Sequence, residues 1–305
     1  MKFPLSSLRE RCLATLAYFD LFDYPLKLQE LHDYFLGEQP SLHELKIFLD
    51  EHKDLISHQD GYYFFKGRNL IILTREERQK ISRQYWKKVR RYLPFILFVP
   101  FIKMVGICNT LAINNAAKES DIDLFIVAKK GRLFFVRFLT VLLFGALGVR
   151  RHGNKIAGRF CLSFYTDDTV LNLEKIQAGP EDIYLPYWIL TMKPVYGPET
   201  YPQFVKENVW IHKYFDRSPS MTGHFLPKNI LRFFAWLKEL LWQGKWGDWV
   251  EKKLRSFQMK RHQRNLTELP SEASIVVNDH MLKFHNIDRR KDIAQRFEKR
   301  LKELF

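Results

Sequence analysis

The sequence predicts an α+β fold: helices closed by a hairpin at the N-terminus, a central β-sheet flanked by helices, and a helical C-terminal region. Three observations carry this reading. Apolar residues recur at helical spacing through residues 8–52 and then give way to two strand-like runs around an Asp-Gly pair. Short apolar runs at 103–108, 124–127 and 159–165 alternate with polar loops and a helix-length stretch, as in a sheet with a crossover helix. Beyond residue 201, aromatic and aliphatic residues keep returning at helical spacing. The expected divisions are residues 1–72, 73–200 and 201–305.

In order along the chain, Leu13, Leu16, Ala17, Phe19 and Phe22 share a face of a helix over 8–22, which Asp23-Tyr24-Pro25 breaks. Leu28 to Leu36 predicts a second helix, ended near Gly37, and Ser41 with Glu44 forms a capping box for a third. Leu55 to His58 and Tyr62 to Phe65 flank Gln59-Asp60-Gly61, a hairpin signal. Three helices and a hairpin resemble a winged-helix domain, which implies that the helix from Ser41 to His52 would read DNA. That helix contains no Arg, the commonest specific base contact, so a packing or partner-binding module is at least as good a reading. Lys66 and Arg68 beside the hairpin leave nonspecific contact with nucleic acid open.

Thr74 and Glu77 predict the capped start of a long helix. Its basic face (Arg75, Arg78, Lys80, Arg83, Lys87 and others) suits RNA or DNA phosphates, or solvent. Lys103 to Cys108 reads as the first sheet strand. Leu133 to Val149 fits a core-facing crossover helix rather than a membrane span, since it holds Arg137. Pro94 to Ile102 is too short to span and carries Pro94 and Pro100, so no integral membrane segment is expected. Glu181 to Lys193 reads as a helix with Pro180 in its first turn and Tyr184, Tyr187 and Trp188 packed on the sheet. From Asn229 to Val250, Phe233, Phe234, Trp236, Leu237, Leu240, Leu241, Trp242, Trp246 and Trp249 form a stripe. It reads first as core packing and second as a membrane-interface helix. His280 and His285, five apart, do not stack as helical metal ligands and read as structural.

Composition bounds the class. With 46% hydrophobic and 27% charged residues over 305 positions, the chain is ordinary globular protein with room for two or three domains. Its net charge of +15 attracts nucleic acid, anionic membranes and nucleotides alike. Cys12, Cys108 and Cys161 lack metal or disulfide spacing and read as reduced, buried thiols of a cytoplasmic protein. The charged opening residues lack the apolar core of a signal peptide.

The densest chemistry lies at 109–127, where Ser120-Asp121-Ile122-Asp123 precedes the apolar strand Leu124 to Val127. Residues two apart share a strand face, so Asp121 and Asp123 point the same way. Paired carboxylates at a strand mouth are either a solvated loop end or a site for a hard divalent cation and the phosphates it carries. Asn109-Thr110-Leu111-Ala112 with Ser120-Asp121-Ile122-Asp123 resembles the Gly-Ser, spacer, Asp-x-Asp signature of the DNA polymerase β-like nucleotidyltransferase superfamily, in its minimal form. The resemblance implies a mixed central sheet, a turn at Asn109 and Thr110 that holds the triphosphate, and two Mg²⁺ ions on Asp121 and Asp123. Asn109 stands where that family has Gly, a tolerable exchange because Asn visits the left-handed region readily. Ser120 and the loop cations Arg150, Arg151 and Lys155 are further candidates for nucleotide phosphates.

The family's third carboxylate falls on the strand Arg159 to Tyr165, where the inward residues are Cys161 and Ser163; Asp167 and Asp168 follow it. Neither Cys nor Ser is a good Mg²⁺ ligand. Two main functions are therefore expected. One is Mg²⁺-dependent transfer of a nucleoside monophosphate from a nucleoside triphosphate to an unidentified hydroxyl acceptor. The other is a catalytically degenerate nucleotide- or nucleic-acid-binding module. Peripheral membrane attachment through the Trp-rich helix is a third.

Overall fold

The computed structural model describes residues 6–220, 230–266, 274–285 and 288–305. The N-terminal region contains α1 (Leu8–Asp20), α2 (Leu28–Asp33), α3 (Leu42–Glu51) and the hairpin β1 (Ile56–Gln59) and β2 (Tyr62–Phe65). Ser7 and Ser41 cap α1 and α3, each returning the favour of a Glu three residues on. Asp60 and Gly61 turn the hairpin with positive φ, and an isolated bridge from Leu26 to Tyr63 adds a further backbone pairing.

Next comes α4 (Ile71–Tyr92), which begins before the expected Thr74 cap. Ile71 and Ile72 bury against Tyr62 and Phe64, and this contact carries the helix back to the hairpin. Two of its cations are struts rather than surface charges. Arg75 is buried, stacked 3.6 Å over the Tyr24 ring and donating to Glu30 Oε1 at 2.6 Å. Arg78 donates to the Phe22 carbonyl at 2.6 Å. Arg68 is likewise engaged, donating to Asp20 and Asp23.

The sheet is built by β3 (Ile102–Ile107), then the single turn α5 (Asn109–Ala112), β4 (Ile122–Ala128), the crossover α6 (Leu133–Ala146) and β5 (Phe160–Asp167). Beyond these, α7 (Tyr184–Thr191) leads into β6 (Lys193–Tyr196) and α8 (Tyr201–Glu207). α7 begins four residues after Pro180, not at it, and Asp182 braces its first turn: Asp182 Oδ1 accepts from Leu185 N at 3.1 Å.

The C-terminal region comprises α9 (Ile230–Leu241), α10 (Lys245–Leu266), β7 (Ser274–Val277), β8 (Met281–His285) and α11 (Arg290–Leu304). The expectation of a helical C-terminal region is therefore corrected by two strands. Ile275-Val276-Val277 and Met281-Leu282-Lys283-Phe284 flank Asn278 and His280 as a hairpin, and β8 pairs antiparallel with β5, which buries Leu282. The six strands run β6-β3-β4-β5-β8-β7, with β4 and β5 parallel and the other neighbours antiparallel. This is a mixed sheet flanked by helices.

Strand alternation sorts the core into two layers. Leu124, Ile126 and Ala128 pack with α6 and the end of α4. Phe125 and Val127 face α1, α7, α8 and α11, and the Phe125 ring lies 5.5 Å from Trp188 and 5.6 Å from Phe204. Asp123 has the parity of Phe125, so it opens toward α7 at the sheet's mouth.

Candidate functional site

The site forms where β3 ends and β4 begins. Asn109 leaves β3 with φ +57°, the left-handed conformation that a Gly would adopt there at lower cost. Its side-chain amide is oriented from both ends: Tyr184 Oη donates to Asn109 Oδ1 at 2.8 Å, and Asn109 Nδ2 donates to Asp123 Oδ2 at 2.7 Å. The parallel register sets Asp123 beside Cys161 on β5. Oxygens of Asp121 and Asp123 and the sulfur of Cys161 come within 4.8 Å of one another. Among the described residues, no third carboxylate joins this group.

Arg151 reaches the pair because residues 149–151 run beside the start of β5. Phe160 N donates to Val149 O and Arg151 N to Phe160 O, both at 2.9 Å. The guanidinium Nη1 then lies 2.5 Å from Asp121 Oδ2 and 3.7 Å from Cys161 Sγ. An arginine thus stands on the carboxylate that the sequence assigns to a metal. Arg150 turns elsewhere, acting on Arg137 and Tyr165 through its charge, while Lys155 is exposed at the tip of the loop. Ser120 holds the turn before the pair, its Oγ accepting from Ala117 N at 3.0 Å. Thr110 and Ser120 line one end of a cleft of about 1140 Å³, whose other walls include Arg78, Lys175, Arg289 and Lys291.

Electrostatics divide the two carboxylates. Burial, and then the charge of Asp121, push the Asp123 carboxyl up to about 7, although the bonds from Asn109 and Cys161 and the charge of Arg151 pull the other way. Burial also raises the Cys161 thiol well above its ordinary range, so it stands as a neutral thiol, 3.2 Å from Ser163 Oγ. A carboxyl raised this way holds its proton longer when folded than when unfolded. Its contribution to stability is complete below the ordinary value of 3.8 and is lost as pH climbs toward 7. Asp123→Asn is therefore expected to raise the melting temperature at about pH 8 and to leave it near wild type at about pH 4. An equal change at both pH values in thermal melts would contradict the assignment.

The predicted residues Asn109, Asp121, Asp123 and Arg151 are brought into one connected group, and Cys161 joins it as expected of that strand position. Asp167 faces away: buried, it accepts from Thr169 and pairs with His280 Nδ1 at 2.8 Å, which also gives His280 its structural partner. Asp168 Oδ1 accepts from Lys130 N at 2.8 Å. Tyr184 was expected only to pack on the sheet. Its hydroxyl bond to a residue 75 positions away has no local sequence signal. Compared with protein families, with curated proteins and with solved structures, the chain matches none.

Proposed function

We propose that this chain is a nucleotidyltransferase-like protein that binds a nucleoside triphosphate at the mouth of β4, with Arg151 supplying fixed positive charge where transfer chemistry calls for a cation. The observation that carries this is the Arg151 guanidinium, 2.5 Å from Asp121 and within reach of Cys161. Two-metal transfer requires carboxylates that bridge both ions. Here Asp121 is already paired, Asp123 binds protons up to near neutrality, and the third position is a neutral thiol, a soft ligand that suits Mg²⁺ poorly. The donor set fits one hard cation at most, once Arg151 has moved, and does not fit a pair.

A guanidinium that is 44% exposed at the side chain keeps donor capacity for a phosphate. The Asn109 turn and the cationic cleft beside Thr110 and Ser120 provide room for the rest of a nucleotide. The expected result is that labelled nucleoside triphosphate binds in the presence of chelator and that Arg151→Ala weakens binding roughly tenfold or more, as loss of a charge-assisted pair does. No binding of any of the four common nucleoside triphosphates, by anisotropy titration, would end this reading.

Mg²⁺-dependent transfer is the second reading, supported by the Asp121 and Asp123 pair itself. Label moving from nucleoside triphosphate to RNA, to the protein or to a small alcohol, and lost in Asp121→Asn, would establish it instead. Exposed Lys80, Arg83, Lys87, Arg90 and Arg91 on α4 support RNA or DNA as a partner in either case.

A further inference from the structure

Core packing does not account for the aromatic stripe of the C-terminal region. On α9, Phe233, Trp236, Leu237, Leu240 and Leu241 fall at helical spacing on one face, and each is between 37% and 74% exposed. On α10, Trp246, Trp249 and Phe257 continue the pattern, each more than half exposed. Asn229 lies outside the described residues, as does the side chain of Phe234.

The opposite faces are firmly seated. Trp242 packs 5.3 Å from Phe135, and Gly247 lies so close to the Trp242 carbonyl that a Cβ would come within 1.8 Å of it. The acidic groups are sorted the same way. α9 and α10 contain Glu239, Asp248 and Glu251 as their acidic residues, and all three are spent on the body of the protein. Glu239 accepts from Phe101 N at 2.9 Å, Asp248 pairs with Arg132 at 2.7 Å, and Glu251 accepts from Phe134 N and Phe135 N at the start of α6. Apart from Asp248, exposed but paired with Arg132, what remains outward is aromatic and cationic: the exposed Lys238, Lys245, Lys252, Lys253 and Lys260 accompany the stripe, with Lys253 Nζ 5.6 Å from the Trp249 ring.

We propose that α9 and α10 dock on an anionic membrane surface, their Trp, Phe and Leu side chains entering the interface while the lysines meet lipid phosphates and carboxylates. Among the described residues no helix is long and apolar enough to cross a membrane, so in this proposal the two helices lie on the bilayer. Charge complementarity selects this occupant. An apolar protein partner has no use for a rim of five exposed lysines against one exposed carboxylate, itself paired with Arg132, whereas the surface of an anionic leaflet attracts each lysine near it. The inference is independent of nucleotide binding, and its test contains no nucleotide.

The test is co-sedimentation of the full chain with vesicles of phosphatidylcholine alone and of phosphatidylcholine with about one-third phosphatidylserine, at low and high salt. The expected result is binding to the anionic vesicles only, weakened by salt and accompanied by a blue shift of Trp emission. Trp236→Glu with Leu240→Glu should reduce it roughly tenfold or more, because two buried side chains leave the interface. Lys252→Glu with Lys253→Glu should also reduce it while leaving the apolar stripe intact. Unchanged circular dichroism spectra would show that both variants fold. Failure of the wild type to bind anionic vesicles, or binding unaltered by either pair of substitutions, would overturn the proposal. So would a concentration-dependent dimer that Trp236→Glu with Leu240→Glu dissociates while vesicles are ignored, since a second copy would then cover the stripe.

Discussion

Cys161→Asp is expected to destabilise the protein in chelator and to recover most of the loss when Mg²⁺ or Mn²⁺ is added. The thiol lies with Asp121 and Asp123 in a group no wider than 4.8 Å, and it is already neutral and buried. Putting a carboxylate there adds negative charge beside Asp123, whose own carboxyl is held up to about 7 by burial and by Asp121. Arg151, already engaged with Asp121, offsets only part of that charge, so the cost is at most the roughly 3–5 kcal/mol of a buried charge left without a partner. A divalent cation would neutralise the new group, and at a concentration about one hundred times its Kd it would return about 2.7 kcal/mol. Wild type, with a soft ligand in that position, should respond far less to the same ions. The measurement is the melting temperature of both proteins in chelator and across a cation titration. Parallel responses in the two would show that residue 161 does not occupy the missing ligand position.

Arg290→Ala should cost about 3–5 kcal/mol, the range found when one partner of a buried ion pair is removed. Arg290 Nη1 donates to Asp182 Oδ2 at 3.1 Å and to the Ile176 carbonyl at 2.6 Å, and Nη2 donates to Asp288 Oδ2 at 2.6 Å. Only 1% of the Asp182 side chain is exposed, so its charge would be left without its ion partner. The loss reaches the sheet as well, because Asp182 braces the first turn of α7 and α7 carries Tyr184, which orients Asn109. Burial works against ionisation of Asp288, yet the hydrogen bonds and charge of Arg290 hold its carboxyl well below the usual range. A depressed carboxyl contributes stability above its unfolded value and loses it as pH falls through its folded value. The difference between wild type and variant should therefore narrow in acid. Urea unfolding at neutral and low pH would measure both effects, and a neutral-pH difference below about 1 kcal/mol would remove Arg290 from this role.

Local pattern was sufficient for most elements. The capping box at Ser41, the Asp60-Gly61 turn and the apolar run before Ala128 each bind neighbours in the chain, so they are written in short windows. The β7–β8 hairpin was missed among helical expectations because its strands have only a few residues each and it joins the sheet through β8 pairing with β5, more than a hundred positions earlier. Thr74 looked like a cap, but burial of Ile71 and Ile72 under the hairpin outweighed it.

The same division runs through the site. Residue identity alone established two carboxylates on one strand face, an Asn able to take the left-handed turn, and a thiol where a third carboxylate would be sought. Which of these touch, and what occupies the space between them, was settled by long-range packing. Loop composition leaves the direction of Arg151 open; the strip beside β5 turns it onto Asp121. The aromatic stripe was visible as amphipathic helix, yet periodicity cannot tell an inward face from an outward one. That was decided by Glu239, Asp248 and Glu251, whose hydrogen bonds to the protein body leave tryptophan and lysine facing out.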